Sequence, residues 1–144
     1  VNKELMIGIS VALDRAFGGR YEIYTEENKQ DLKMPCFFIS LVQPTKTDFP
    51  SNRYYMDNLF CIQYIPESET GSNGECVSTG EQMLWVLEEV TPDGEDLPVR
   101  GSNMHYEIID GVLNFFVNYN YFVRKVVDTA PTMETMATRS HVKG

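Results

Sequence analysis

The sequence predicts an α+β domain, a mainly antiparallel sheet of four to five strands with two helices packed on one face. Three observations carry this. Two stretches repeat apolar residues at helical spacing, one at the start of the chain and one just past its middle. Between and after them lie strand-length runs that alternate or are continuously apolar. The order helix, strands, helix, hairpin lacks the regular βαβ alternation of a parallel sheet.

The first helix is read from Leu5, Ile9, Ala12, Leu13 and Ala16, which recur at spacings of three and four, with Gly18-Gly19 as the stop. Residues 21–25 alternate as a short strand, and a charged loop follows over 26–33. Pro35 opens a second strand over 35–42, a position where the missing N–H is harmless. Its run Cys36, Phe37, Phe38, Ile39 is apolar on both faces, as in a central strand. Residues 43–52 hold two prolines and little apolar content and read as a projecting loop. A long strand over 53–65 ends at Pro66.

Ser72 and Glu75 then fit a capping box at the start of a second helix. Its stripe is Cys76, Val77, Gly80, Met83, Leu84, Leu87 and Val90, and it stops at the turn Pro92-Asp93-Gly94. The strongest local signal comes last. Ile109-Asp110-Gly111-Val112 is a two-residue hairpin of the kind that needs φ > 0 at both central positions. It pairs Ile109 with Val112 and Ile108 with Leu113. Met104, Tyr106 and Ile108 then share a face with Leu113, Phe115, Val117, Tyr119 and Tyr121. The opposite face holds His105, Glu107, Asn114, Asn118 and Asn120, interrupted by Phe116 and Phe122.

The 144 residues (16.5 kDa) suit one domain, read as 1–127 with a C-terminal arm over 128–144. Twelve Lys+Arg stand against 21 Asp+Glu, a net charge of −9, which argues against binding nucleic acid by phosphate neutralisation. No apolar run reaches membrane-spanning length, and no membrane contact is expected. Residues 1–17 carry Glu4, Asp14 and Arg15 in a helical pattern and do not read as a signal peptide. Cys36, Cys61 and Cys76 are odd in number, widely spaced and set in apolar patterns, so they read as reduced core residues of a chain folded in a cytosol.

The search for chemistry is negative. No glycine-rich phosphate cradle with a lysine is present. Gly71-Ser72-Asn73-Gly74 ahead of a helix is a turn and cap, and Asp93-Gly94-Glu95-Asp96 lacks calcium-loop spacing. His105 and His141 have no clustered acid, and Glu88-Glu89 reads as a helix surface pair. No catalytic residue, cofactor or metal is expected.

Aromatic residues in exposed positions are more informative. Phe116 and Phe122 on the polar face, with Tyr54 and Tyr55 at the start of the long strand, are either covered by neighbouring loops or form an oligomer surface. The arm after Asp128 is loosely helical around Met133 and Met136, adaptable residues suited to an irregular groove. It packs on its own domain or on a neighbouring chain, and the expected contact for Met133 and Met136 is another chain.

Five stretches together resemble one family: 2–10 (NKELMIGIS), 24–32 (YTEENKQDL), 35–39 (PCFFI), 60–64 (FCIQY) and 110–119 (DGVLNFFVNY). They look like the phage tail terminators of prophages and phage-tail-like particles, a resemblance that covers roughly 2–125. It implies a small non-enzymatic α/β protein forming a hexameric ring on the finished tail tube. Such a ring ends tube polymerisation and offers a surface to the head connector, and in contractile tails to the sheath protein. The implied location is the tail end of a virion or tail-like particle assembled in the host cytoplasm. DNA would pass through the ring without sequence-specific binding. The alternatives are a neck or head–tail completion protein, or a monomeric or dimeric α+β ligand-binding domain.

Overall fold

The computed structural model describes residues 2–26, 31–67, 72–127 and 140–143. In chain order these form α1 (Asn2–Ala16), β1 (Glu22–Thr25), β2 (Cys36–Phe49), β3 (Arg53–Ile65), α2 (Ser72–Val86), β4 (Glu89–Val90), β5 (Val99–Ile109), β6 (Val112–Val127) and β7 (Ser140–Lys143). The sheet order is β1-β2-β3-β6-β5-β4, with β7 on β6 beyond β5. The α+β class holds. Among the described residues the sheet has seven strands rather than four or five, and it is mixed, because β1 pairs parallel to β2 across a crossover of some ten residues. The two strands not foreseen are β4 and β7, of two and four residues, too short to show a period.

Both helices pack on one face. Leu5, Ile9, Leu13 and Phe17 from the first helical segment and Cys76, Met83 and Leu87 from the second are buried against Phe37, Ile39, Phe60, Ile62, Tyr64, Leu113, Phe115, Val117 and Tyr119. Phe17, Tyr21, Phe37 and Tyr64 meet in tilted and edge-to-face contacts with centroids 5.3–5.8 Å apart, geometries that aromatic quadrupoles favour. The Tyr64 hydroxyl donates to Glu75 Oε1 at 2.7 Å and ties the end of β3 to the first turn of α2. Tyr119 donates to the Leu87 carbonyl at 2.7 Å, fixing β6 beneath the end of α2.

The hairpin forms as its sequence dictates. Asp110 and Gly111 have φ of 51° and 76°, and Ile109 faces Val112. A bulge between Ser102 and His105, with Asn103 at φ 51°, reverses the alternation of β5, so both Met104 and Gly101 reach the core side.

Several expectations need correction. Residues 43–49 are strand, not loop: β2 continues past a bulge at Val42 and pairs with β3 up to Phe49 opposite Arg53. Pro44 is tolerated because β1 pairs β2 only as far as Ile39, which leaves that edge open. The β-branched Thr45 and Thr47 suit the exposed pleat. Helix α2 ends at Val86, before the Pro92 turn; Val90 lies in β4, and Val77 is 40% exposed, off the buried stripe. Glu88 follows the helix and pairs with Arg100 at 3.5 Å, while Glu89 is in β4, so the two are not a helical surface pair.

Close approach of α1 to the segment after β4 sets one expected result. A Cβ on Gly8 would lie 2.5 Å from the Thr91 carbonyl oxygen, a backbone atom that cannot swing aside. Gly74, in α2, has open space around it. Gly8→Ala should therefore destabilise the fold by about 1–3 kcal/mol through overpacking. Gly74→Ala should be neutral or stabilising by up to about 1 kcal/mol. Urea unfolding of the two variants reads both signs.

Candidate assembly surface

The face of the sheet away from the helices is open. On it, β2 presents Phe38 and Ser40, β3 presents Tyr55, Asp57, Leu59, Cys61 and Gln63, β6 presents Asn114, Phe116, Asn118 and Asn120, and β5 presents Ser102, His105 and Glu107. Most of these are half-buried, because neighbours on the same face cover one another. The amides are laced together: Gln63 Nε2 donates to Asn114 Oδ1 at 2.8 Å, and Asn120 Nδ2 donates to Ser102 Oγ at 3.3 Å. His105 stacks on Phe116 with centroids 5.0 Å apart and planes 19° from parallel. This is a polar, aromatic surface that also carries Arg53, Asp57 and Glu107.

The aromatic residues singled out from the sequence fall into three places. Tyr55 and Phe122 are directly opposite in the β3–β6 register. Phe116 lies opposite Cys61, six residues further along the strands, roughly 20 Å at about 3.4 Å per residue. Tyr54 shares the helix-side face with Met56 and Asn58, and Lys46 Nζ sits 4.7 Å from its ring centre. Tyr54 and Tyr55 therefore cannot serve one flat surface, since neighbours on a strand point to opposite sides. Met133 and Met136 lie outside the described residues. The end of the arm does return to the domain, with Ser140–Lys143 paired antiparallel to the end of β6.

Sequence reasoning missed the extension of the β2–β3 hairpin beyond the helices, where residues 43–53 are all exposed. The alternation of Thr45, Thr47 and Phe49 was the available signal. It also missed Asn58, fully buried on the helix side with its Nδ2 donating to the Tyr119 carbonyl at 3.1 Å.

The cysteines are inert by position. Cys36 and Cys76 are fully buried and Cys61 nearly so. Burial, then the charge of Glu107, pushes the Cys61 thiol up to about 11, and burial raises the other two. The thiolate is the reacting form, so all three should be silent toward a thiol reagent at pH 7 in native protein and react together on unfolding. A thiol titration with and without denaturant checks this. Among the described residues no three His, Cys, Asp or Glu side chains come together as a metal site, and no helix is long and apolar enough to cross a membrane.

A search among individually curated proteins gives no match. The family model described as phage tail terminator protein matches residues 4–131, nearly the whole chain, from the first turn of α1 through the end of β6. On that match the chain belongs to the phage tail terminator family, a family of phage tail structural proteins.

Proposed function

We propose that the protein caps the end of the tail tube of a phage or phage-tail-like particle as a non-enzymatic hexameric ring. It ends tube polymerisation there and forms the interface to the head connector, and to the sheath protein where the tail is contractile. The family match over residues 4–131 carries this reading. The open sheet face supports it: aromatic residues interleaved with hydrogen-bonded amides make a surface suited to protein contacts. Phe116, Tyr55 and Phe122, Tyr54 on the other side, and the arm residues Met133 and Met136 are the positions proposed to meet neighbouring chains. DNA passing through the ring would meet a protein of net charge −9, which repels phosphate rather than holding it.

Electron microscopy of intact particles with the protein labelled tests the location. Label at the head-proximal end of the tail tube is the expected result. Label on the head portal itself would select a head–tail completion role instead, and absence from the particle would end the reading.

A further inference from the structure

One rung runs the whole width of the sheet. Ile23 on β1 is opposite Phe37, Phe37 opposite Tyr64, Tyr64 opposite Leu113, and Leu113 opposite Ile108 on β5. Both ends of this rung are open. Among the described residues nothing pairs with β1 beyond β2, and β4 covers β5 only at Val99 and Arg100. The two-residue turn makes Ile109 and Val112 a hydrogen-bonded pair, so the N–H and C=O of Ile108 point off the sheet. Main-chain groups on a strand alternate between its two neighbours. Carried back along the rung through β6, β3 and β2, that alternation aims the N–H and C=O of Ile23 off the opposite edge.

The two edges are complementary. They sit at one height, on one rung, and they run in opposite directions, because β1 is parallel to β2 while β5 is antiparallel to it. Each has a helix behind the same face, α1 at β1 and α2 at β5. Ile23 at one rim and Tyr106 and Ile108 at the other are half-buried apolar residues packed against the core. Neither β1 nor residues 104–109 contain Pro or Lys. By contrast, the open edge of β2 beyond Ile39 carries a bulge at Val42, Pro44 and Lys46, devices that keep an edge from pairing. One free edge is blunted and these two are not.

Charge agrees with the strand geometry. Residues 54–121 carry twelve Asp+Glu and a single cation, Arg100, which pairs with Glu88. Glu107 and Asp110 are exposed, and neither their hairpin after Arg100 nor α2 contains Lys or Arg. Arg20, just before β1, and Lys33, whose main-chain N–H donates to the Tyr24 hydroxyl at 3.2 Å, are exposed beside the β1 edge.

We propose that β1 of one copy of this chain pairs antiparallel with β5 of the next, with Ile23 opposite Ile108, so that the sheets of neighbouring copies join. In this register Tyr24 and Lys33 meet Glu107, Arg20 comes level with the turn at Asp110, and Glu22 faces Ile109. A contact between different edges at one height is heterologous, and a rotation without rise closes it into a ring. The proposal rests on the ring reading and names the strands that join its subunits. An extended segment of another protein is the competing occupant of either edge. The second copy is favoured because the two edges match each other in height, direction and charge.

Paired cysteines in the full chain test the register. A hydrogen-bonded antiparallel pair sets its Cα atoms about 5.5 Å apart, within disulfide reach. The native cysteines are all buried. Ile23→Cys with Ile108→Cys is oxidised both as concentrated protein and in assembled particles, then run on non-reducing gels. A ladder of multimers that collapses on reduction is the expected result. Glu22→Cys with Ile109→Cys, at two exposed positions, reads the same register should the first pair loosen the fold. Each single variant alone should give no cross-link, and a mixture of the two singles should give dimers. Glu22→Cys with His105→Cys, four residues out of register, should stay monomeric. No ladder from either in-register pair would overturn the proposal. So would dimers from Ile108→Cys alone, which would mean that β5 pairs with β5, or equal cross-linking by the out-of-register pair. Particles that carry the protein at the tail end but give no ladder would sink this proposal and leave the ring reading standing. Absence of the protein from the particle would sink the ring reading instead.

Discussion

Particles assembled without this protein are expected to carry tails of irregular and excessive length. Identical tube subunits add to a growing end through a contact that does not close on itself, and such a contact has no intrinsic stopping point. A cap ends growth by covering the surface to which the next subunit would bind, so its removal changes the length distribution rather than tube structure. The mean should rise and the spread widen in electron micrographs of the deletion. Purified wild-type protein added before head attachment should restore a single length. The size of the effect follows from mass action: addition continues as long as free tube subunit exceeds its dissociation constant from the end. Tails of normal, uniform length in the deletion would sink the capping role.

Wherever the fold was legible in the sequence, its determinants were local. Helix α1 was readable because its apolar spacing and its glycine stop lie within one short stretch, and Gly19 N–H does bond back to the Asp14 carbonyl. The β5–β6 register followed from Asp110-Gly111 alone, since a two-residue turn leaves the pairing no freedom. It also separated Phe116 and the asparagines from the core correctly. What failed depended on distant partners. The polar stretch 43–49 becomes strand because β3 supplies a ladder for it, and Pro44 looked like a loop signal only while its edge was unknown. Val77 lay on a plausible stripe, but the sheet is placed to bury Cys76, Thr79, Gly80 and Met83 instead. Tyr54 and Tyr55 looked like one patch because residue type was visible and strand parity was not.

Truncating Phe115 to alanine is expected to have the largest effect on stability among single substitutions in the hairpin, about 3–5 kcal/mol. Its ring is fully buried, faces Ile62 across the β3–β6 ladder and Tyr106 across the hairpin, and lies nearly parallel to the Tyr106 ring with centroids 6.3 Å apart. Removing it takes away the transfer energy of a large side chain and leaves a cavity that the paired strands cannot close without breaking register. Asn118, three residues on, sits on the open face, and its alanine variant should cost under about 0.5 kcal/mol in the isolated chain. The two substitutions remove side chains from opposite sides of one strand, so their ratio reports the face assignment directly. Urea titrations of both variants, with unchanged slopes, would give that ratio. Comparable losses at both positions would mean that the open face is covered in the isolated protein, and Phe116 with its amide neighbours would then no longer be available to a neighbouring chain.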